Sequence, residues 1–542
     1  MKLKEKIKFV IFLSLITVAC NQQEHIPSLR QQGSAVQLIV NEKPFIILGG
    51  ELGNSTASSL IDTEAAFFKL QKLNLNTALV PVYWEQIEAE EGKFDFSMID
   101  GIINLAQKHD LKIVFLWFGA WKNSMSCYAP SWVKENYTDY PRAVTETGKT
   151  LEILTAFDKN NLETDKRAFC QFMKHLAKTD KNRTVIMIQV ENEIGMLESA
   201  RDYCEKANQL FDTEVPKELV DYLVKNKQTL QYQLREKWET NNCKTTGTWT
   251  DIFGAGLETE EFFMAWHYGL FIQEIIQAGK EIYNLPMYVN AALNSRGRKQ
   301  GQYPSAGPLA HLLDIWRAAS PDLDFIAPDI YDPIFTDWCK LYHTNNNPLF
   351  IPEIRLEDAN AARVFYALSE HDAIGFSPFS IENVENMEEY PLAQSYKLLN
   401  QLLPLLSECQ GLNKTNGILL DRNNREYTIE KNGYTFTFRH DYTLGWDYRA
   451  RDENNWDEVG ALIIELSPKE YIVAGTGIVL TFGNTKDDKT VTGINFIDEV
   501  KFENGKMIRL RRLNGDQSHQ GRHLRIPVGV WNIQYIKLYD YK

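Results

Sequence analysis

Val185-Ile186-Met187-Ile188-Gln189-Val190 runs directly into Glu191-Asn192-Glu193-Ile194-Gly195. The first six residues are apolar except for Gln189, and four of them are β-branched; six are too few for a stable helix and suit one strand. The run lacks the polar–apolar alternation of a half-exposed strand, so it reads as a strand buried on both faces, the texture of a parallel sheet covered by helices. Similar runs stand at 44–50, 77–82, 112–118, 287–291, 325–330, 349–352 and 373–376, which brings the number to eight. The run at 44–50 is the second arm of a hairpin whose first arm is 36–40 and whose turn is Asn41-Glu42-Lys43.

Helical periodicity fills the intervals, at 65–73, 98–106, 165–178, 216–238, 260–283, 308–319, 358–368 and 391–406. Eight buried strands alternating with helices predict an α/β fold, a (β/α)8 TIM barrel enlarged beyond the usual ~250 residues. The excess falls largely in 195–258, an insertion expected over the C-terminal face. After residue 410 the texture changes: 427–430 and 434–438 alternate in period two around Lys431-Asn432-Gly433, and short strand patterns follow at 461–466, 471–474, 477–482, 500–502, 507–510 and 533–539. These predict a C-terminal antiparallel β-sandwich domain. The expected organisation is therefore a barrel over 36–410 and a sandwich over 411–542, with the boundary in the turn-like Asn413-Lys414-Thr415-Asn416-Gly417.

The N-terminus reads separately. Lys2, Lys4, Lys6 and Lys8 precede an apolar stretch at 9–16 that is too short to span a bilayer, the pattern of an export signal. The stretch ends in Thr17-Val18-Ala19-Cys20, similar to a bacterial lipoprotein cleavage box with Thr17 where Leu is usual. The expectation is a signal peptide over 1–20, lipidation of Cys20 and a polar tether over 21–35. The chain would then be exported and held on a bacterial outer membrane by lipid alone, on its periplasmic or cell-surface side. Ordinary secretion, with Cys20 in the discarded peptide, is the other reading. The remaining six cysteines form no CxxC pair and no zinc spacing, and their even number permits disulfides without specifying any.

Composition narrows the chemistry. The chain has 542 residues and a net charge of −14, which would repel a phosphate backbone, so no nucleic-acid partner is expected. There is no Walker loop, no Rossmann glycine fingerprint, no His-Glu-x-x-His and no Gly-x-Ser-x-Gly elbow, so no cofactor is expected. Only ten histidines occur, and no metal is expected. Aromatic residues make up 12%, which suits flat ligands such as sugars as well as ordinary cores.

In a TIM barrel the chemistry sits at the C-terminal strand ends, and carboxylates stand there in two places. The fourth run delivers Glu191 and Glu193; the seventh, Leu349-Phe350-Ile351-Pro352, delivers Glu353. One glutamate alone is more readily a rim salt bridge than a functional group, because structural ion pairs also perturb carboxyls. A pair on opposed strands meets the requirement of retaining glycoside hydrolysis for two carboxyls about 5–5.5 Å apart.

Gln189-Val190-Glu191-Asn192-Glu193-Ile194-Gly195 closely resembles the acid/base motif of glycoside hydrolase family 35, the β-galactosidases, and Asn192-Glu193 is the hallmark dipeptide of the larger clan of retaining barrels. The stretch 81–96, beginning Pro81-Val82-Tyr83-Trp84, looks common to several families of that clan, and the barrel with its C-terminal β domain is similar to a bacterial branch whose sandwich has no assigned function. The resemblance implies that Glu193 is the general acid/base, Glu353 in Phe350-Ile351-Pro352-Glu353-Ile354-Arg355 the nucleophile, and Asn192 the partner of the sugar 2-hydroxyl. Tyr331, after the sixth strand, is placed to hydrogen-bond the nucleophile. Glu51 could bind sugar hydroxyls or cap its loop, and Glu191 stays structural beneath the site. Trp84, Trp117 and Trp121 could stack on a sugar ring or fill core. The family's strand-three Glu-Trp-Glu is replaced by Trp117-Phe118-Gly119-Ala120-Trp121.

The activity implied is that of a retaining, exo-acting β-galactosidase-like enzyme cleaving terminal β-linked galactose from oligo- or polysaccharides by a two-glutamate double displacement. A gluco- or manno-specific β-glycosidase or endo-glycanase of the same clan is the alternative, as is a catalytically silent glycan-binding lipoprotein. The sandwich could bind glycan or buttress the barrel, and buttressing is the expectation, since no row of exposed aromatics is evident in its sequence.

Overall fold

The computed structural model describes residues 25–542 except 295, 345, 346, 486 and 488; the signal segment and Cys20 lie outside the described residues. Eight parallel strands close into a barrel: β1 Ile47–Glu51, β2 Thr77–Tyr83, β3 Lys112–Lys122, β4 Val185–Asn192, β5 Met287–Ala292, β6 Phe325–Ile330, β7 Ile351–Ile354 and β8 Gly375–Pro378. Every one of the eight buried runs supplies a barrel strand. β1 to β7 are buried along almost their whole length because side chains alternate between the barrel interior and the helical shell, and neither face meets water.

Three segments differ from the sequence reading. Ser28–Gln32, expected in the tether, is a strand antiparallel to Ala35–Val40, which in turn pairs with Lys43–Phe45 in a small sheet. Leu38 and Val40 of the second strand join the barrel's core, and side chains fasten the hairpin further: Gln32 and Gln37 donate to the carbonyl of Ser407, Gln37 at 2.7 Å. The long helix expected over 216–238 is two helices, Lys217–Asn226 and Tyr232–Thr240; Leu230 turns inward at the break, while Asp314 accepts from the Gln231 amide at 2.7 Å. The boundary turn at 413–417 is only partly a turn, since Thr415–Leu420 is already a strand of the sandwich.

The sandwich packs a six-stranded sheet on a four-stranded one. In spatial order the larger sheet is Thr415–Leu420, Val459–Ser467, Glu470–Gly475, Asn532–Tyr541, Val491–Glu503 and Lys506–Leu513, and the smaller is Glu426–Lys431, Tyr434–His440, Ile478–Asn484 and Leu524–Ile526. The larger sheet lies directly on the helix Asn360–Glu370. A Cβ at Gly460 would stand 2.3 Å from the Ala362 carbonyl oxygen, and one at Gly417 would stand 2.7 Å from Tyr366 Cα, so only glycine permits this approach. Leu462, Ile464, Ile472, Ala474, Val500 and Ile533 join the barrel's own hydrophobic core, while the two inner sheet faces form a second one. The domain therefore buttresses the barrel by continuous apolar burial. Among the described residues the six cysteines are free, and no helix is long and apolar enough to cross a membrane.

Candidate active site

The site is built at the C-terminal ends of β1, β3, β4, β6 and β7. β4 ends in an irregular turn in which Glu191 and Glu193 both take left-handed backbone conformations, φ +60° and +48°. Such φ values are strained for residues other than glycine and persist where surrounding contacts hold them. Here the contacts are explicit. The Glu193 amide donates to Asn290 Oδ1 at 2.9 Å, and the amides of Asn123 and Ser124 donate to the carbonyls of Asn192 and Glu193.

Glu191 points beneath the site. Its carboxylate accepts from the backbone amides of Ala120 at 3.1 Å and Trp121 at 2.6 Å, and it faces the carboxyl of Asp165, which accepts from Trp117 Nε1 at 2.9 Å. Burial, followed by the charge of Asp165, holds the Glu191 carboxyl well above the ordinary range, so the two acids share a proton. The pair fixes an irregularity in β3 between Trp117 and Lys122, and Gly119 makes room for it: a Cβ there would lie 2.5 Å from Glu191 Oε1 and 2.7 Å from Asp165 Oδ1. This bend carries Lys122 and Asn123 into the barrel mouth. Asn123 Nδ2 donates to Glu193 Oε2.

Across the mouth, β7 presents Glu353, whose Oε1 accepts the Tyr331 hydroxyl. Carboxylate oxygens of Glu193, Asp329 and Glu353 lie within 4.8 Å of one another, and both glutamates are only 5% exposed. Glu51, fully buried at the end of β1, meets no nitrogen or hydroxyl donor; its carboxyl faces Glu353, which makes one of the two protonated. Desolvation, reinforced by the negative charge of Glu193, pushes Glu353 up to about 7, against the lowering influence of the Lys122 ammonium and the Tyr331 hydroxyl. Burial likewise raises Glu193, while Lys122 lowers it. Asp329 and Glu51 are held well above their usual range by burial and by the charge of Glu353. Four carboxyls this close cannot all ionise, so the site holds protons at neutral pH.

Among the described residues the Glu193, Asp329 and Glu353 triad is the one acidic group close enough to hold a cation. Each carboxyl accepts one donor, Tyr331 on Glu353, Asn123 on Glu193 and Asn290 Nδ2 on Asp329 Oδ2 at 2.6 Å, while Asp329 Oδ1 and Glu353 Oε2 meet none. That arrangement suits carboxyls that share protons and charge. Asn192 is fully buried, and both polar atoms of its amide lack a partner, which leaves it free to bind a ligand.

Of the residues singled out in the sequence, Glu193, Glu353, Asn192, Tyr331 and Glu51 therefore come together. Trp84 and Trp117 do not. Trp84 is fully buried, donates to Glu88 Oε2 at 2.9 Å and packs against Trp132; Trp117 bonds Asp165 and packs on Phe169 and Phe172 of the helix Lys159–Thr179. Trp117 faces the helical shell because neighbouring positions of a barrel strand point to opposite faces, whereas Trp84 opens the short helix Trp84–Ile87 that follows β2. Trp121 is likewise buried, against Tyr268 and Phe271. Lys122, Asn123 and Asn290 were missed. Asn290 had a signal, being the single polar residue in its apolar run. Lys122 and Asn123 had none beyond following Trp121, since the β3 irregularity sets their direction.

Residues 55–259 match the family 42 glycoside hydrolase model described as beta-galactosidase, and residues 392–525 match a domain of unknown function. No curated protein matches. Among solved structures, the β-galactosidase of Bacillus circulans sp. alkalophilus is 15% identical, covering 67% of this chain and 57% of its own, with a TM-score of 0.46. The cold-adapted β-galactosidase of Rahnella sp. R3 gives 16%, 67%, 57% and 0.46, and the endo-1,4-β-mannanase of Rhizomucor miehei gives 13%, 69%, 99% and 0.43. The chain spans 57% of the length of these two β-galactosidases. The closed (β/α)8 barrel thus carries two buried glutamates, at the ends of β4 and β7, and its first half is similar to the family 42 model. The matching model is that of family 42, so the resemblance to family 35 holds at the level the two share, a β-galactosidase-like barrel.

Proposed function

We propose that the protein is a retaining, exo-acting β-galactosidase that removes terminal galactose from oligo- or polysaccharides, exported and anchored through lipid on Cys20. The observation that carries the reading is the close, buried pairing of Glu193 with Glu353. A spacing this short favours direct attack by a carboxylate over activation of an intervening water, which needs ~6.5–9.5 Å between carboxyls.

The donors around Glu353, the Tyr331 hydroxyl and the carboxyl of Glu51, favour negative charge there, and since charge on one glutamate opposes charge on the other, the reactive form is the one with Glu353 ionised and the proton on Glu193. Glu353 then attacks the anomeric carbon as Glu193 gives its proton to the departing glycosidic oxygen, forming a glycosyl ester. In the second step Glu193, now ionised, takes a proton from water, which attacks the same carbon and expels Glu353. Two inversions restore the β configuration. We assign the 2-hydroxyl to the Asn192 amide, whose lack of a partner supports that reading, and hydrogen bonds there strengthen toward the transition state. The near-complete burial of both glutamates favours a pocket for a chain end, hence exo action.

The test is hydrolysis of aryl β-galactoside beside its gluco, manno, fuco and α-linked counterparts, with Glu193→Gln and Glu353→Gln in parallel. Selective β-galactoside turnover lost in both variants is the expected result. Preference for another β-glycoside would discard the sugar, and turnover surviving either substitution would discard the pair.

A further inference from the structure

The segment joining Tyr434–His440 to Val459–Ser467 displays Trp446 with 49% of its surface exposed and Tyr448 with 79%. An exposed tryptophan is unremarkable if its side chain is loose. This one is built in. The Arg525 guanidinium lies 5.0 Å from the indole centroid, and the rings of His519 and His523 flank it at 5.3 and 5.6 Å. Arg525 is itself locked by a two-point contact with the buried Asp441, Nε to Oδ1 at 2.5 Å and Nη2 to Oδ2 at 3.1 Å. Asp447 and Arg449, on either side of Tyr448, form a second two-point pair, with Nη2 to Oδ2 at 2.6 Å and Nε to Oδ1 at 3.1 Å.

From this surface we infer that the C-terminal domain binds a neutral polysaccharide, with the Trp446 indole as the platform for one pyranose ring and Tyr448 for a neighbouring one. A pyranose offers a flat face of C–H groups and a rim of hydroxyls. The first requires a rigid exposed aromatic face, and the second requires planar polar side chains with fixed direction. Trp446 meets the first requirement, and the Asp447–Arg449 pair with His519 meets the second. Arg525 beside the platform and Arg449 next to Tyr448 are each neutralised by an aspartate, which leaves Arg522, bonded to His519 at 3.0 Å, as a single cation, too little charge to select a polyanion. The far end of the segment is anchored to the barrel. It ends at Glu458, which takes Nε and Nη2 of Arg363, both at 2.7 Å, on the helix that follows the Glu353 strand. Only the choice of galactan as probe rests on the proposed activity.

The experiment uses the full chain carrying Glu193→Gln, run through native gels containing soluble β-1,4-galactan, with dextran as the control polymer. Galactan should retard the protein and dextran should not. Adding Trp446→Ala should weaken retardation about tenfold, and Trp446→Phe should restore part of it. In the otherwise wild-type chain, Trp446→Ala should leave aryl β-galactoside turnover unchanged while slowing galactan hydrolysis at low polymer concentration. No retardation of the parent, or retardation unchanged by Trp446→Ala, would overturn the inference. The readout needs no turnover, so retardation lost with Trp446→Ala in a protein inactive on every aryl glycoside would uphold this surface and reject the proposed activity.

Discussion

Replacing Tyr331 by Phe removes one hydroxyl from Glu353 and nothing from the fold, since the ring is 37% exposed at the end of β6. The hydroxyl donates to the ionised form of Glu353 and so lowers its pKa; without it the pKa rises above about 7. A hydrogen bond to a charged group contributes about 1.5–3 kcal/mol, equivalent to about 1–2 pKa units. The acid limb of the pH–rate profile, which reports ionisation of the nucleophile, should therefore move upward by that amount. At pH 6 the loss in kcat/KM should be about 10- to 100-fold, and it should shrink as pH rises. The assay is kcat/KM for aryl β-galactoside between pH 4 and 10 on both proteins, with circular dichroism to confirm the fold. A uniform loss at all pH values, with the acid limb unmoved, would refute the claim that Tyr331 acts by stabilising charge on Glu353.

Lys122→Met removes the ammonium that lowers Glu51, Glu193 and Glu353 together, so both limbs of the profile should move to higher pH, with Lys122→Arg restoring them; an unmoved profile would contradict the placement of Lys122 among the carboxyls. Gly119→Ala forces a Cβ to within 2.5 Å of Glu191 Oε1 and should cost about 1–3 kcal/mol, read as a lowered Tm, with activity lost through displacement of Lys122 and Asn123. Arg363→Met strands the Glu458 carboxylate, half of a largely buried pair between helix and sandwich, and should cost up to about 3–5 kcal/mol; urea unfolding monitored in both domains should show the sandwich loosening first.

The barrel was legible because its strands are uninterrupted apolar runs, and the same property hid which side chains face inward. In a strand buried on both sides, Trp117 and Gln189 look equally internal, so tryptophans near the mouth were indistinguishable from sugar platforms until the packing of Trp117 on Phe169 and Phe172 placed it outside. The paired glutamates were legible because each follows a strand end directly. Lys122 and Asn123 were not, since a register shift held by Glu191 and Asp165, residues far apart in the chain, decides where they point. Ser28–Gln32 was hidden for the opposite reason: a polar edge strand fastened by glutamine amides has the composition of a tether. Trp446 escaped notice because one exposed indole backed by Arg525 leaves no periodic trace.

The central claim is that Glu353 forms a covalent bond to the sugar while Glu193 moves the proton, and intact-protein mass spectrometry tests it most directly. Incubation with 2-deoxy-2-fluoro-β-galactosyl fluoride, whose ring fluorine slows release of the glycosyl ester, should add one fluorogalactosyl group, and peptide mapping should place it on Glu353. A label on another residue, or no label in a protein that hydrolyses β-galactosides, would contradict the account.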